Sequence, residues 1–155
     1  MKRDKLLNQK GFTLIELLAV ITILAIVMLL AAQSVTTALT NAQRRSFIID
    51  VERIVEAAKL AYTDALLNNQ TKNSNQFCMS MDYLKTHGLE KHDDKVKGSV
   101  LVDVSNVTAR YTVYLDNEQF SLNGVSLDGL DVGKLSPGGT VPSTNCGGNG
   151  STLPN

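Results

Sequence analysis

FTLIELLAVITILAIVMLLAA, residues Phe12 to Ala32, is an almost unbroken apolar run that contains a single charge, Glu16. At 1.5 Å of rise per residue it forms a helix of roughly 31 Å, about the thickness of a bilayer's hydrocarbon core. The stretch before it, MKRDKLLNQKG, sets Lys2, Arg3, Lys5 and Lys10 against Asp4 alone. A basic flank ahead of an apolar span keeps residues 1–11 in the cytoplasm and sends the rest of the chain outward. Whole-chain averages hide this pattern, because fifteen Lys+Arg balance fifteen Asp+Glu over 155 residues and the mean hydropathy is −0.01. The distribution excludes a freely soluble cytoplasmic protein. Neutral balance without a basic cluster beyond the N-terminus argues against nucleic acid as a partner.

A cleaved secretory signal competes with this reading, with Ala32-Gln33-Ser34 as its cleavage site. Its apolar region would ordinarily be 7–15 residues, and the run here is longer. Glu16 is also out of place in such a signal. An acidic side chain inside a membrane segment is costly, so it ordinarily has a partner and a purpose, unless it sits at the interface and snorkels to headgroups.

The residues around Glu16 decide between these. Lys10-Gly11-Phe12-Thr13-Leu14-Ile15-Glu16 closely resembles the cleavage motif of the type IV pilin family, which includes the pseudopilins of type II secretion and the competence pilins. Four features coincide: a basic leader, Gly11-Phe12, Glu16 and the uninterrupted apolar run. The resemblance covers roughly residues 1–60. It implies that a prepilin peptidase cuts between Gly11 and Phe12, that Phe12 becomes an N-methylated terminus, and that Glu16 is the fifth residue of the mature chain. Gly11 has no side chain to obstruct an intramembrane protease and leaves the backbone free at the cut. Glu16 is then a buried anion, and the amine of Phe12 on an adjacent subunit is the cation that sets the register of assembly. The sequence departs from many pilins in one respect: neither Gly nor Pro lies between Phe12 and Ser46.

Beyond the apolar run, Val35, Leu39, Ala42, Phe47, Val51, Ile54, Ala58, Ala61/Tyr62 and Ala65 recur at helical spacing and define one apolar stripe. Arg44, Arg45, Glu52, Arg53, Glu56 and Lys59 occupy the remaining surface. With no Pro or Gly from 12 to 67, one continuous helix is expected. Asn68 to Asn75 is a polar break, and Ser80 to Gly88 reads as a short helix with Ser80 as N-cap and Gly88 as its stop. Val100, Val102 and Val104 alternate with Leu101 and Asp103. Ala109, Tyr111, Val113 and Leu115 alternate with Arg110, Thr112 and Tyr114, then Phe120 and Leu122 follow a turn at Asp116-Asn117. The expected fold class is therefore α+β, a long N-terminal helix packed on a small antiparallel sheet. The expected parts are a leader (1–11), a membrane and assembly helix (12–34), an amphipathic helix (35–67) and an extracytoplasmic head (68–155) with a Gly/Pro/Ser-rich tail.

Cys78 and Cys146 both lie on the outer side of the membrane in this topology, where disulfides persist. A bridge over that separation would stabilise the head by about 4 kcal/mol on the loop-entropy model. The alternative is a pair of free thiols in a reducing setting. Zinc lacks the necessary ligand spacing. His87 and His92, with Glu90, Asp93 and Asp94, read as a polar surface loop, since no nucleophile or oxyanion motif accompanies them. Asp128-Gly129-Leu130-Asp131 lacks the ligand spacing of a calcium loop. Gly147-Gly148-Asn149-Gly150 opens no helix, so it is not a nucleotide loop. Asn69-Gln70-Thr71 and Asn106-Val107-Thr108 match the common glycosylation sequon.

The expectation is a structural prepilin without catalytic residues, metal or cofactor. Its partners would be a prepilin peptidase, other copies of itself and minor pilins in a helical filament, the inner-membrane assembly platform, and membrane lipid before assembly. It would be a single-pass protein of the cytoplasmic membrane before assembly and part of a surface pilus afterwards, serving adhesion, motility or attachment. A type II secretion pseudopilin and a competence pilin share the N-terminal argument. A secreted or membrane-anchored binding domain is the reading from a different class.

Overall fold

The computed structural model describes residues 13–71, 74–89, 94–139, 146 and 151–152. It forms two compact units, residues 1–41 and 42–155, and helix α1 (Leu14–Leu67) contributes to each. In the first unit every described side chain from Thr13 to Leu39 is exposed, including Leu14, Ile15, Met28 and Leu29. By length and composition α1 is able to cross a membrane. Threonine hydroxyls are satisfied within the helix: Thr22 and Thr36 donate to the carbonyls of Ala19 (2.8 Å) and Ala32 (2.7 Å). Such back-bonding lets a hydroxyl sit in hydrocarbon without an unpaired donor.

The second unit is α+β. After α1 come β1 (Gln76–Ser80), α2 (Met81–Thr86), β2 (Lys97–Asp103), β3 (Arg110–Asp116), β4 (Phe120–Ser126), two single 3-10 turns (Leu127–Gly129 and Val132–Lys134), β5 (Ser136–Pro137) and β6 (Ser151–Thr152). The sheet runs β5-β4-β3-β2-β1-β6. Its first five strands are antiparallel neighbours, while β6 lies parallel to β1. The register pairs Phe77 with Val102, Met79 with Val100, and Val100 with Val113, so these side chains share the face turned to α1. There they meet Phe47, Val51, Ile54, Val55, Ala58, Ala61 and Ala65 in one core. The alanines at the end of this stripe keep the helix surface low enough for the strands to approach.

The buried stripe of α1 starts at Phe47. Val35, Leu39 and Ala42, expected on the same stripe, are exposed. Arg44, expected among the surface charges, is half-buried with its guanidinium 5.9 Å from the centre of the Phe120 ring. α1 ends as the periodicity predicts, and its stop is Asn69 at φ 60°. The Asn69 N–H donates to the Leu66 carbonyl and the Gln70 N–H to the Ala65 carbonyl, satisfying two orphan acceptors of the last turn. Ser80 caps α2 by accepting from the Tyr83 N–H at 3.2 Å, and the Leu89 N–H closes the far end on Leu84.

β1 was not legible as a strand, because Phe77, Cys78 and Met79 are all buried and no alternation appears. Both faces are covered: one by α1, the other by Cys146. The same cause buries Leu101 and Ser99 on the back of β2. The β3–β4 turn is Asn117–Gln119, one residue beyond the expected Asp116-Asn117, with Glu118 at φ 72°. Asp116 Oδ1 accepts from the Glu118 N–H at 2.7 Å and Oδ2 accepts from the Gly139 N–H. One carboxylate thus ties the hairpin to the segment leaving β5.

Gly98 sits at φ 131° in β2, where an added Cβ would run into the Tyr114 carbonyl oxygen. Gly98→Ala should therefore destabilise the head by about 1–3 kcal/mol through backbone strain and overpacking. Thermal melts of the full chain in detergent check this; an unchanged melting temperature would refute it.

Candidate functional site

Helix α1 begins with a reciprocal cap. Thr13 is the N-cap, and its hydroxyl accepts from the Glu16 N–H at 3.3 Å. The Glu16 carboxylate Oε2 accepts in return from the Thr13 N–H at 3.0 Å and the Thr13 hydroxyl at 3.1 Å. This is a capping box, with each side chain accepting from the other residue's backbone N–H; the Glu16 N–H is shared with the Thr13 carbonyl at 3.1 Å. The signature is present in the sequence as Thr13-Leu14-Ile15-Glu16, so Thr13 is a residue that the pilin-type motif does not single out but the capping rule does.

The cap has a consequence for Glu16. Its carboxylate is exposed and held by its own helix, beside the exposed apolar side chains of Leu14, Ile15 and Leu17. Gly11 and Phe12, the expected cleavage and methylation residues, lie outside the described residues. Thr13→Val removes the hydroxyl while keeping the side-chain volume. Amide exchange over the first turn of α1 should then be roughly fivefold faster, the scale of a lost N-cap. Hydrogen exchange read by mass spectrometry checks this, with the head strands as the internal reference.

Cys78 and Cys146 are joined, with Cα atoms 5.8 Å apart. Cys78 is carried by β1 and Cys146 is wholly buried against it and Leu101. The Cys146 N–H donates to Ser99 Oγ at 3.0 Å, so a polar side chain buried on β2 is satisfied from the tail. Nothing local in the sequence marks Ser99 for that role.

The His87 ring stacks on Tyr83 with centroids 4.0 Å apart, and its Nδ1 lies 2.9 Å from both the Tyr83 carbonyl oxygen and the Thr86 hydroxyl. His92, Glu90 and Asp93 lie outside the described residues. Burial pushes the Tyr83 hydroxyl above its ordinary pKa, with Asp64 adding to the effect. Burial does the same at Tyr111, helped by Tyr62 and Glu56. Hydrogen bonds from Ser105, then one from the Gln76 amide, hold the Asp103 carboxyl below its ordinary value. Asp128 lies in the first 3-10 turn, and Asp131 is the N-cap position of the second. Among the described residues no group of three His, Cys, Asp or Glu side chains is placed to hold a metal ion.

Residues 6–32 match the family model for the prokaryotic N-terminal methylation motif, and the match takes in the second half of the expected leader, the capping box and the apolar run. This is the leader-and-helix signature of a type IV pilin-like or pseudopilin precursor. The chain matches no curated protein and no solved structure.

Proposed function

We propose that this chain is a prepilin, a structural subunit of a type IV pilus. A prepilin peptidase removes residues 1–11 by cutting after Gly11, and Phe12 becomes the N-methylated terminus. The mature chain waits as a single-span protein of the cytoplasmic membrane, then leaves lipid for a helical filament of its own copies and minor pilins. The inner-membrane assembly platform drives that transfer. Residues 12–34 form the membrane and assembly segment, 35–67 the helix that carries the head, and 68–155 the head displayed on the filament. Its role is structural, in adhesion, motility or surface attachment.

One observation carries the reading: the match to the methylation motif at residues 6–32 takes in the start of a helix whose apolar side chains from Leu14 to Leu39 are exposed. So large an apolar surface requires lipid or other subunits around it. Four of the fifteen basic residues and one of the fifteen acidic ones lie in the leader, so the mature chain is mildly acidic and poorly suited to capture DNA. Filaments sheared from cells should contain the chain beginning at N-methyl-Phe12. Recovery of the processed chain from membranes alone, in cells that bear filaments of other subunits, would reject the filament role.

A further inference from the structure

The described pairing of the tail with the edge of the sheet, two residues long, is too short to hold by itself. Cys146, at φ 40°, lies across two strands, bonded to Cys78 of β1 and donating its N–H to Ser99 of β2. A few residues further on, Ser151 and Thr152 run parallel to β1, opposite Phe77 and Cys78. A pairing of two residues makes too few hydrogen bonds to offset the backbone freedom it removes. Tethering Ser151 close to β1 through Cys146 raises its effective concentration there and makes the pairing favourable.

Without β6, β1 would be the edge of the sheet. Its sequence, Gln76-Phe77-Cys78-Met79-Ser80, contains no charge and no proline, the usual guards of an edge strand. The opposite edge has such a guard, since β5 is Ser136–Pro137. We propose that the Cys78–Cys146 bridge is an edge clamp: it keeps Ser151–Thr152 on β1 and closes that edge to strand addition by a second copy of the chain. A second copy is the occupant because the apolar helix gathers copies in one bilayer. Two uncharged β1 strands also pair without repulsion. The choice of occupant rests on the membrane reading of Phe12–Ala32; the clamp does not.

A dithiol reductant opens the clamp by exchange. One of its thiolates attacks a sulfur of the bridge to give a mixed disulfide and one protein thiolate. Its second thiol then displaces the other protein sulfur, leaving two protein thiols and an oxidised reductant.

The test uses the full chain in detergent micelles, bridged or reduced with dithiothreitol, beside a bridged chain ending at Cys146. Hydrogen exchange is read on peptides covering 76–80 and 110–116, and association by sedimentation. The clamp requires at least tenfold faster exchange over 76–80 in both the reduced and the shortened chain, with 110–116 unchanged. It also requires that both associate more strongly than the bridged full chain in the same micelles. Unchanged exchange over 76–80 in the shortened chain overturns it. So does loss of protection in every strand on reduction, which would make the bridge a staple of the whole head. Opening of β1 without added association also overturns it.

Discussion

Gly11→Trp should leave the chain uncut in cells that convert the wild type completely. The peptide bond after Gly11 lies where a basic leader meets an apolar helix, at the cytoplasmic face of the bilayer in the proposed topology. A protease acting there must bring the backbone of residues 11 and 12 into its site while the helix behind them remains in lipid. Glycine lets the backbone take conformations that other residues resist and presents no side chain to the protease. An indole at that position blocks close approach, so the expected loss is all or none. Gly11→Ala adds one methyl group and should be cut slowly. Co-expression with a prepilin peptidase, followed by intact mass and N-terminal sequencing, checks both. The wild type should lose residues 1–11 and gain a methyl group on Phe12. A wild-type chain beginning near Val35 would show that a signal peptidase acts instead, and equal processing of Gly11→Trp would remove Gly11 from the mechanism.

The parts of this protein that sequence reveals are those set by local rules. α1 is legible from Leu14 to Leu67 because no Pro or Gly interrupts it and its second half keeps an apolar period. β2 and β3 are legible through alternation, even though Leu101 and Ser99 on the back of β2 are also buried. β1 fails that test because Phe77 and Met79 face α1 while Cys78 faces Cys146, a partner 68 residues away. β5 and β6 are two residues each, too short for any period. At the N-terminus, Thr13 and Glu16 are legible through the capping rule, while Gly11 and Phe12 lie outside the described residues. Ser99 does not stand out, and Asp116 does so only as a turn residue. Each acquires its role from a backbone N–H far along the chain, Gly139 for one and Cys146 for the other, and only the folded sheet brings those groups together.

Glu16→Gln should separate the two roles that converge on that side chain. Glutamine serves in a capping box as glutamate does, so the cap to Thr13 should survive and α1 should begin where it does now. What glutamine lacks is the charge. In the proposed filament the carboxylate leaves Thr13 for the amine of Phe12 on a neighbouring subunit, inside a water-poor bundle of apolar helices. An amine left there without its anion is a buried unpaired charge, the costly half of a broken ion pair. Filament yield should therefore fall on the order of a hundredfold or more, with membrane insertion and cleavage after Gly11 unchanged. Thr13→Val is the complement, since it weakens the cap and spares the charge; it should fray the helix start and still give filaments. Sheared-filament yield, measured beside the processed chain remaining in the membrane, reads both variants. Wild-type yield from Glu16→Gln would mean that Glu16 serves α1 as a cap and contributes no pairing between subunits. Loss of filaments in Thr13→Val with the cap of Glu16→Gln intact would place the assembly determinant on the helix start itself.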